Sequence, residues 1–228
     1  MTLELIAFDA DDTLWDCQGH FDDVEAQYCK ILAQYGNAES ISKSLFETET
    51  ANMPALGYGS KAFTISLVEN AIRVSKGEIA PADITTIINL GKSLLQLPAT
   101  PLPGVRSTLE TLRRERKYKM VVFTKGDNLD QENKFRRSGL ADCFDDIFVV
   151  AEKTRHEYAR LCRLFDTDIN RLCMVGNSYK SDILPVLQLG GNAIHVPYPL
   201  TWKMERIEES DHPNMRKIES FAQLTEII

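Results

Sequence analysis

The chain has 228 residues, of which 43% are hydrophobic and 26% charged, with a formal net charge of -7. That length suits one sizeable domain, or one domain carrying an insert, and the composition is that of an ordinary soluble globular protein. The acidic balance argues against a nucleic-acid partner, which would want a basic face, so any anion site must be built locally. Five cysteines at 17, 29, 143, 162 and 173 are odd in number and lack CxxC spacing. They fit reduced thiols better than a disulfide frame or a zinc site. The N-terminus enters a strand without a basic segment and apolar h-region, and no apolar run approaches a membrane span. A cytoplasmic protein with no membrane partner is therefore expected.

Residues 3–8 are mostly apolar and too few for a stable helix, so they read as a buried strand. The strand runs into Asp9-Ala10-Asp11-Asp12-Thr13-Leu14-Trp15. Asp9 and Asp11 lie one strand period apart and point the same way. Two such carboxylates repel unless a cation or a proton sits between them. Taken alone, the same residues also describe a polar turn.

From about 20 to 97 the pattern is helical. Val24, Tyr28, Ile31, Leu32 and Tyr35 recur at helical spacing, and Gly36-Asn37 stops that helix. A second helix is predicted over Ser40 to Thr50, broken by the loop Met53 to Gly59. A third is predicted at about 60–75, and a fourth from Pro81, a residue suited to a first helical turn. Leu97 to Gly104 holds three prolines in six residues, a stiff connector. The resulting division is an α/β core domain of 1–16 and 98–228, with 17–97 as a helical insertion.

Beyond the connector, strands and helices alternate. A helix carries Val105, Leu109 and Leu112. Strands are predicted at 119–124, 146–150, 171–175 and 192–196, with a shorter one near 215–218. Helices are predicted at 129–138, after the capping box Thr154 to Glu157, from Ser181-Asp182 to Gly190, and from Ser220. This alternation implies a Rossmann-like parallel sheet with helices on both faces. Parallel strands deliver their carboxyl ends to one edge, where ligands bind in open α/β folds. At that edge stand Asp9 and Asp11, Thr124 with the Lys125-Gly126 turn, Lys153, and Asn177 followed by Asp182. Each has a structural explanation on its own; their equivalent positions in successive βα units point to one site.

These motifs resemble those of the haloacid dehalogenase (HAD) superfamily of aspartate-nucleophile phosphotransferases. Asp9 to Thr13 is similar to its DxDxT first motif, Thr124 to the second, Lys153 to the lysine of the third, and Gly176 to Asp182 to the acidic fourth. An insert directly after the first motif resembles the family's helical C1-type cap. The resemblance implies Asp9 as nucleophile toward phosphorus and Asp11 as general acid and then base. Thr124 and the N–H groups of Lys125 and Gly126 would hold the phosphoryl oxygens, and Lys153 would neutralise charge. Mg2+ is the implied cofactor, bound by Asp9, the main chain at Asp11, Asn177 and Asp182; hard oxygen ligands with little histidine suit that ion. Many relatives have Asp where Asn177 stands, so either Asn177 serves as a neutral ligand or Asp182 carries the charge. The implied partner is a small phosphorylated metabolite. A dehalogenase would also use Asp9 but needs neither metal nor Asp11; a phosphomutase and a non-catalytic module with the same pocket are the other readings. Trp15, His20, Phe21, Met53, Tyr58 and Lys61 are candidates for substrate contact or for packing within the insert.

Overall fold

The computed structural model describes residues 3–115 and 117–228. Residues 1, 2 and 116, which the sequence places in the α/β domain, lie outside them. The described residues fall into two compact units. The first comprises Met1–Gln18, Pro98–Lys125 and Gln131–Ile228, and the second Gly19–Leu97 with Gly126–Asp130.

The first unit is built on a six-stranded parallel sheet of β1 (Leu5–Phe8), β2 (Lys119–Lys125), β3 (Asp146–Val150), β4 (Leu172–Gly176), β5 (Asn192–His195) and β6 (Met215–Lys217). The strand order is β3-β2-β1-β4-β5-β6. β1 is central, pairing in register with β2 (Phe8 opposite Val122) and β4 (Phe8 opposite Val175). Its four residues are fully buried because both sheet faces are covered, which is why the strand reads as a continuous apolar run. The pleat sends Ile6, Phe8, Val122 and Val175 to one face, where they pack with Val105, Leu109, Leu112, Phe221 and Leu224. Leu5, Ala7, Val121, Phe123 and Met174 face the other side, against Tyr158, Leu161, Ile183 and Val186.

Helices flank this sheet: α5 (Val105–Glu115), α6 (Asn128–Ser138, whose residues 128–130 belong to the second unit), α7 (Arg155–Leu164), α8 (Leu184–Gln188) and α9 (Leu224–Ile227). Thr154 caps α7 by accepting from the Glu157 N–H at 3.3 Å. The helix expected from Ser181 instead opens with a π-turn at Tyr179–Ile183, and α8 follows as a short remainder. Such wide turns recur at functional sites.

The second unit holds α1 (Gln18–Ile31, of which Gln18 belongs to the first unit), α2 (Ala38–Leu56), α3 (Ser60–Val74) and α4 (Pro81–Leu94). Val24, Tyr28, Leu32, Leu45, Phe63, Leu67 and Ile87 form its core. α2 runs through Met53 and Pro54, correcting the break expected at that loop. Pro54 lies in the last turn, where the missing N–H costs a single ladder bond. The helix ends at Gly57, whose N–H returns to the Met53 carbonyl at 2.9 Å. Asn52 also ties this turn to Ser66 and Glu69 of α3. Phe21 stacks on Phe63 at 5.1 Å between ring centroids, a packing role for that aromatic. Residues 126–130 join this unit because Ser60 bonds Asp130 and Lys61 pairs with Asp127. Among the described residues, no helix is long and apolar enough to cross a membrane.

α3 and α4 approach closely at Gly91, where an added methyl would stand 2.7 Å from Thr64 Cβ. No Thr64 rotamer moves that atom. Overpacking of this kind costs about 1–3 kcal/mol, against a helix-propensity gain of about 1 kcal/mol for Ala over Gly. Gly91→Ala should therefore destabilise the protein, seen as a lower denaturant midpoint with an unchanged slope.

Candidate active site

The order reverses at β1: the chain crosses from β1 to β2 and β3 on one side, then returns to β4 on the other. Ligand crevices open at such switch points, outside the carboxyl ends of the strands. Asp9 follows the last residue of β1, and its N–H bonds the Val175 carbonyl of β4 at 2.9 Å. The residue is 7% exposed. Its Oδ1 accepts a hydrogen bond from Lys153 Nζ, and its Oδ2 lies 3.1 Å from Thr13 Oγ1.

Lys153 also donates to Asp182 Oδ1 at 2.6 Å, so one ammonium bridges two carboxylates. Lys153 and Asp182 are both essentially buried, and the Phe123 ring centroid lies 5.8 Å from the ammonium. Asp182 Oδ2 accepts from the Ser178 N–H at 2.9 Å. Tyr158 anchors the turn behind it, donating to the carbonyls of Ser181 and Asp182. Gly176 makes room: a Cβ there would stand 2.6 Å from Asp182 Cβ. Asn177 is held by its N–H to Thr13 Oγ1 at 3.0 Å and by its carbonyl, which accepts from His195 Nε2 at 3.0 Å. That contact assigns the proton of His195 to Nε2, since a carbonyl can only accept. Thr13 Oγ1 is also 3.2 Å from Asn177 Oδ1, so its hydroxyl ties the first and fourth motifs together.

Asp11 stands apart from that pair. It accepts from Lys134 Nζ at 2.8 and 2.7 Å, from Gln131 Nε2 at 2.8 Å and from Trp15 Nε1 at 2.8 Å. Burial alone would raise its pKa, but the Lys134 charge and these hydrogen bonds outweigh it and hold the carboxyl below its usual range. Asp9 behaves oppositely. Burial and the neighbouring Asp182 push it up to about 7 against the opposing pull of Lys153. Lys153 itself is raised: burial works against its charge, but Asp182 and Asp9 prevail.

Thr124 is buried at the end of β2, its Oγ1 3.5 Å from the Lys125 carbonyl. Lys125 directs its ammonium to Glu205 Oε1 at 2.7 Å and Ser181 Oγ at 2.9 Å. Gly126 has a φ of 141°, a backbone conformation that favours glycine. The structure thus brings Asp9, Lys153, Asp182 and Asn177 into one connected network. Three participants were not singled out from sequence: Gln131, Lys134 and Glu205. Gln131 and Lys134 are three residues apart on α6, polar yet buried, a spacing that places them on one helix face. Glu205 lies in an irregular stretch with no periodic signal.

The donor set suits a hard cation. Asp9 and Asp182 offer two buried carboxylates against one lysine, and Asp9 is raised first by burial and then by the neighbouring Asp182. Among the described residues no cluster of three His, Cys, Asp or Glu side chains forms a metal cage. Magnesium does not demand one; it binds through one or two carboxylates, neutral oxygens and waters.

Residues 3–190 match the family model described as haloacid dehalogenase-like hydrolase, and the chain belongs to that family of hydrolases. The glyceraldehyde 3-phosphate phosphatase of Methanothermobacter thermautotrophicus is 24% identical over 239 residues, covering 99% of this chain and 100% of that protein. The pyrimidine 5'-nucleotidase YjjG of Escherichia coli is 32% identical over 127 residues, 48% of this chain and 55% of that one. A crystal structure of a haloacid dehalogenase-like family hydrolase from Xanthomonas campestris superposes with a TM-score of 0.89 at 34% identity, covering 99% of this chain and 90% of that chain.

The Asp9 shift has a consequence for stability. Between its ordinary value of 3.8 and about 7, the folded protein keeps a proton that the unfolded chain has lost. The contribution of this group is full at low pH and is lost as pH rises through 7. Asp9→Asn should raise Tm at pH 8 without added divalent cation, and the gain should shrink toward pH 5, as measured by scanning calorimetry.

Proposed function

We propose that the protein is a magnesium-dependent phosphatase that hydrolyses a small phosphomonoester through an aspartyl-phosphate on Asp9. The observation that carries this reading is the buried trio of Asp9, Lys153 and Asp182 at the switch point of the sheet. Both curated relatives are named for the hydrolysis of phosphate esters, which supports the same chemistry.

In this reading Asp9 Oδ attacks phosphorus and the ester oxygen leaves, forming an acyl phosphate. Lys153 spreads positive charge over Asp9 and the transferred group, and holds the nucleophile in place. The Thr124 hydroxyl and the N–H groups of Lys125 and Gly126 are assigned to the phosphoryl oxygens. Asp11, kept charged by Lys134, is suited to deprotonate the water that releases phosphate. Its earlier duty, protonating the leaving oxygen, requires that Asp11 take up a proton and loosen its pairing with Lys134. Magnesium, held by Asp9, Asp182, Asn177 and the main chain at Asp11, would supply Lewis-acid stabilisation of the phosphoryl oxygens.

The magnitudes require these parts to act together. Phosphomonoester hydrolysis is accelerated by up to about 10²¹, or about 29 kcal/mol at about 1.4 kcal/mol per decade. Acid–base catalysis provides about 10²–10⁴ of that. The second reading, a dehalogenase, leaves the four hydrogen bonds on Asp11 without a purpose. The helical insert is assigned the role of a substrate-selecting cap from its place after the first motif. A cytoplasmic setting is in keeping with five free, buried cysteines.

The test is phosphate release from an aryl phosphate. Turnover should depend on Mg2+, stop in EDTA and return when Mg2+ is restored. Asp9→Asn should lower it by roughly 10³-fold or more, as expected for removal of a nucleophile. Turnover that survives both chelation and this substitution would refute the mechanism.

A further inference from the structure

The segment between β5 and β6 carries a carboxylate that the proposed chemistry does not use. Glu205 ends a single 3₁₀ turn, Lys203–Glu205. Its side chain is 11% exposed, yet both oxygens are occupied. Oε1 accepts from Lys125 Nζ at 2.7 Å, and Oε2 from Ser178 Oγ and from Ser181 Oγ at 2.6 Å. Ser178 Oγ in turn accepts from the Ser181 N–H at 3.0 Å, closing the π-turn at its start.

The same segment grips the two residues between those serines. Tyr179 Oη meets Ser210 Oγ at 2.8 Å and Lys180 Nζ donates to the Met204 carbonyl at 2.7 Å. All four residues separating Asn177 from Asp182 are therefore fastened to residues 204–210. Through Lys125, Glu205 also ties this turn to the end of β2, next to Thr124. Burying a carboxylate is costly unless it is fully paired, and apolar packing would join two loops at least as well. The choice of a charged, triply bonded group at this point fits a demand for fixed geometry in the turn that it holds.

We propose that Glu205 is a positioning residue for the divalent-cation site: it clamps the Asn177–Asp182 turn and the Lys125 turn in the spacing that the ion needs. The proposal rests on the phosphatase reading given above, in which Asn177 and Asp182 face the ion. Glu205 acts in this proposal through its contacts to Lys125, Ser178 and Ser181. The burial of Glu205 and the charge on Lys125 agree with this, since burial would raise its pKa but Lys125 and the two serines bring it down to about 2.

The experiment compares wild type, Glu205→Ala and the isosteric Glu205→Gln. Mg2+ binding is measured by titration calorimetry without substrate, alongside aryl-phosphate turnover at saturating Mg2+ and Tm. Loss of a group supporting a ligand costs roughly 10–100-fold in metal affinity. Glu205→Ala should weaken Mg2+ binding by about tenfold or more. Its turnover at saturating Mg2+ should fall by a smaller factor than the affinity, through the loosened Lys125 turn. Glu205→Gln, which keeps an acceptor for the serines but loses the charge pairing with Lys125, should fall between them. If Glu205→Ala does not fold, the Gln variant alone decides, by weakened or unchanged affinity. Wild-type Mg2+ affinity in the variant, or a fall in turnover with affinity intact, would overturn the proposal while leaving the phosphatase reading standing. A wild-type protein that neither binds Mg2+ nor releases phosphate would overturn both.

Discussion

A single ammonium held between two buried carboxylates is the constraint on which the first unit is built. Lys153 comes from the loop after β3, Asp9 from the end of β1 and Asp182 from the turn after β4. Bringing them together requires the strand order seen here, with β1 in the middle and its neighbours drawn from both directions of the chain. Three charges buried together are expensive, and one lysine leaves the carboxylates short of positive charge. Burial, and after it the charge of Asp182, raise the Asp9 pKa. A buried cluster of this kind costs stability, the trade common at functional sites.

The surrounding structure answers to the same constraint. Gly176 lacks a side chain because Asp182 occupies that space. Tyr158 reaches across from α7 to hold the Asp182 backbone, and Thr13 links Asp9 to Asn177. The 204–210 segment then secures each residue between the two fourth-motif side chains. Asp11 is governed separately, by Lys134 and Gln131 from α6 and by Trp15 from its own loop. Two carboxylates two residues apart thus end with opposite proton affinities, set by burial and Asp182 at one and by Lys134 at the other.

Much of this was legible in the amino-acid order because it follows from local rules. β1, β2 and β4 are short apolar runs, which a sheet covered on both faces demands, and polar residues at their ends mark the carboxyl edge. Asp9, Thr124, Lys153 and Asp182 could be named on that basis. What escaped depends on tertiary partners. The helix through Pro54 survives because its last turn is tied to α3 through Asn52. Lys134 and Gln131 look like surface residues of a polar helix until Asp11 is set against them. Glu205 has meaning through Lys125, Ser178 and Ser181, which lie 80, 27 and 24 residues away along the chain. No periodicity encodes such a meeting.

On the phosphatase reading, the Asp9–Lys153–Asp182 network is poised for a divalent cation, which would supply the positive charge that one lysine leaves missing. Calorimetric titration of Mg2+ in buffers of different ionisation enthalpy tests this most directly. At pH 6.5 binding should expel up to about one proton per ion, because the ion displaces the proton that burial and Asp182 hold on Asp9. The release should fade by pH 9 and be missing in Asp9→Asn. Binding without proton release across that range, or wild-type affinity in Asp182→Asn, would contradict a cation site on this network.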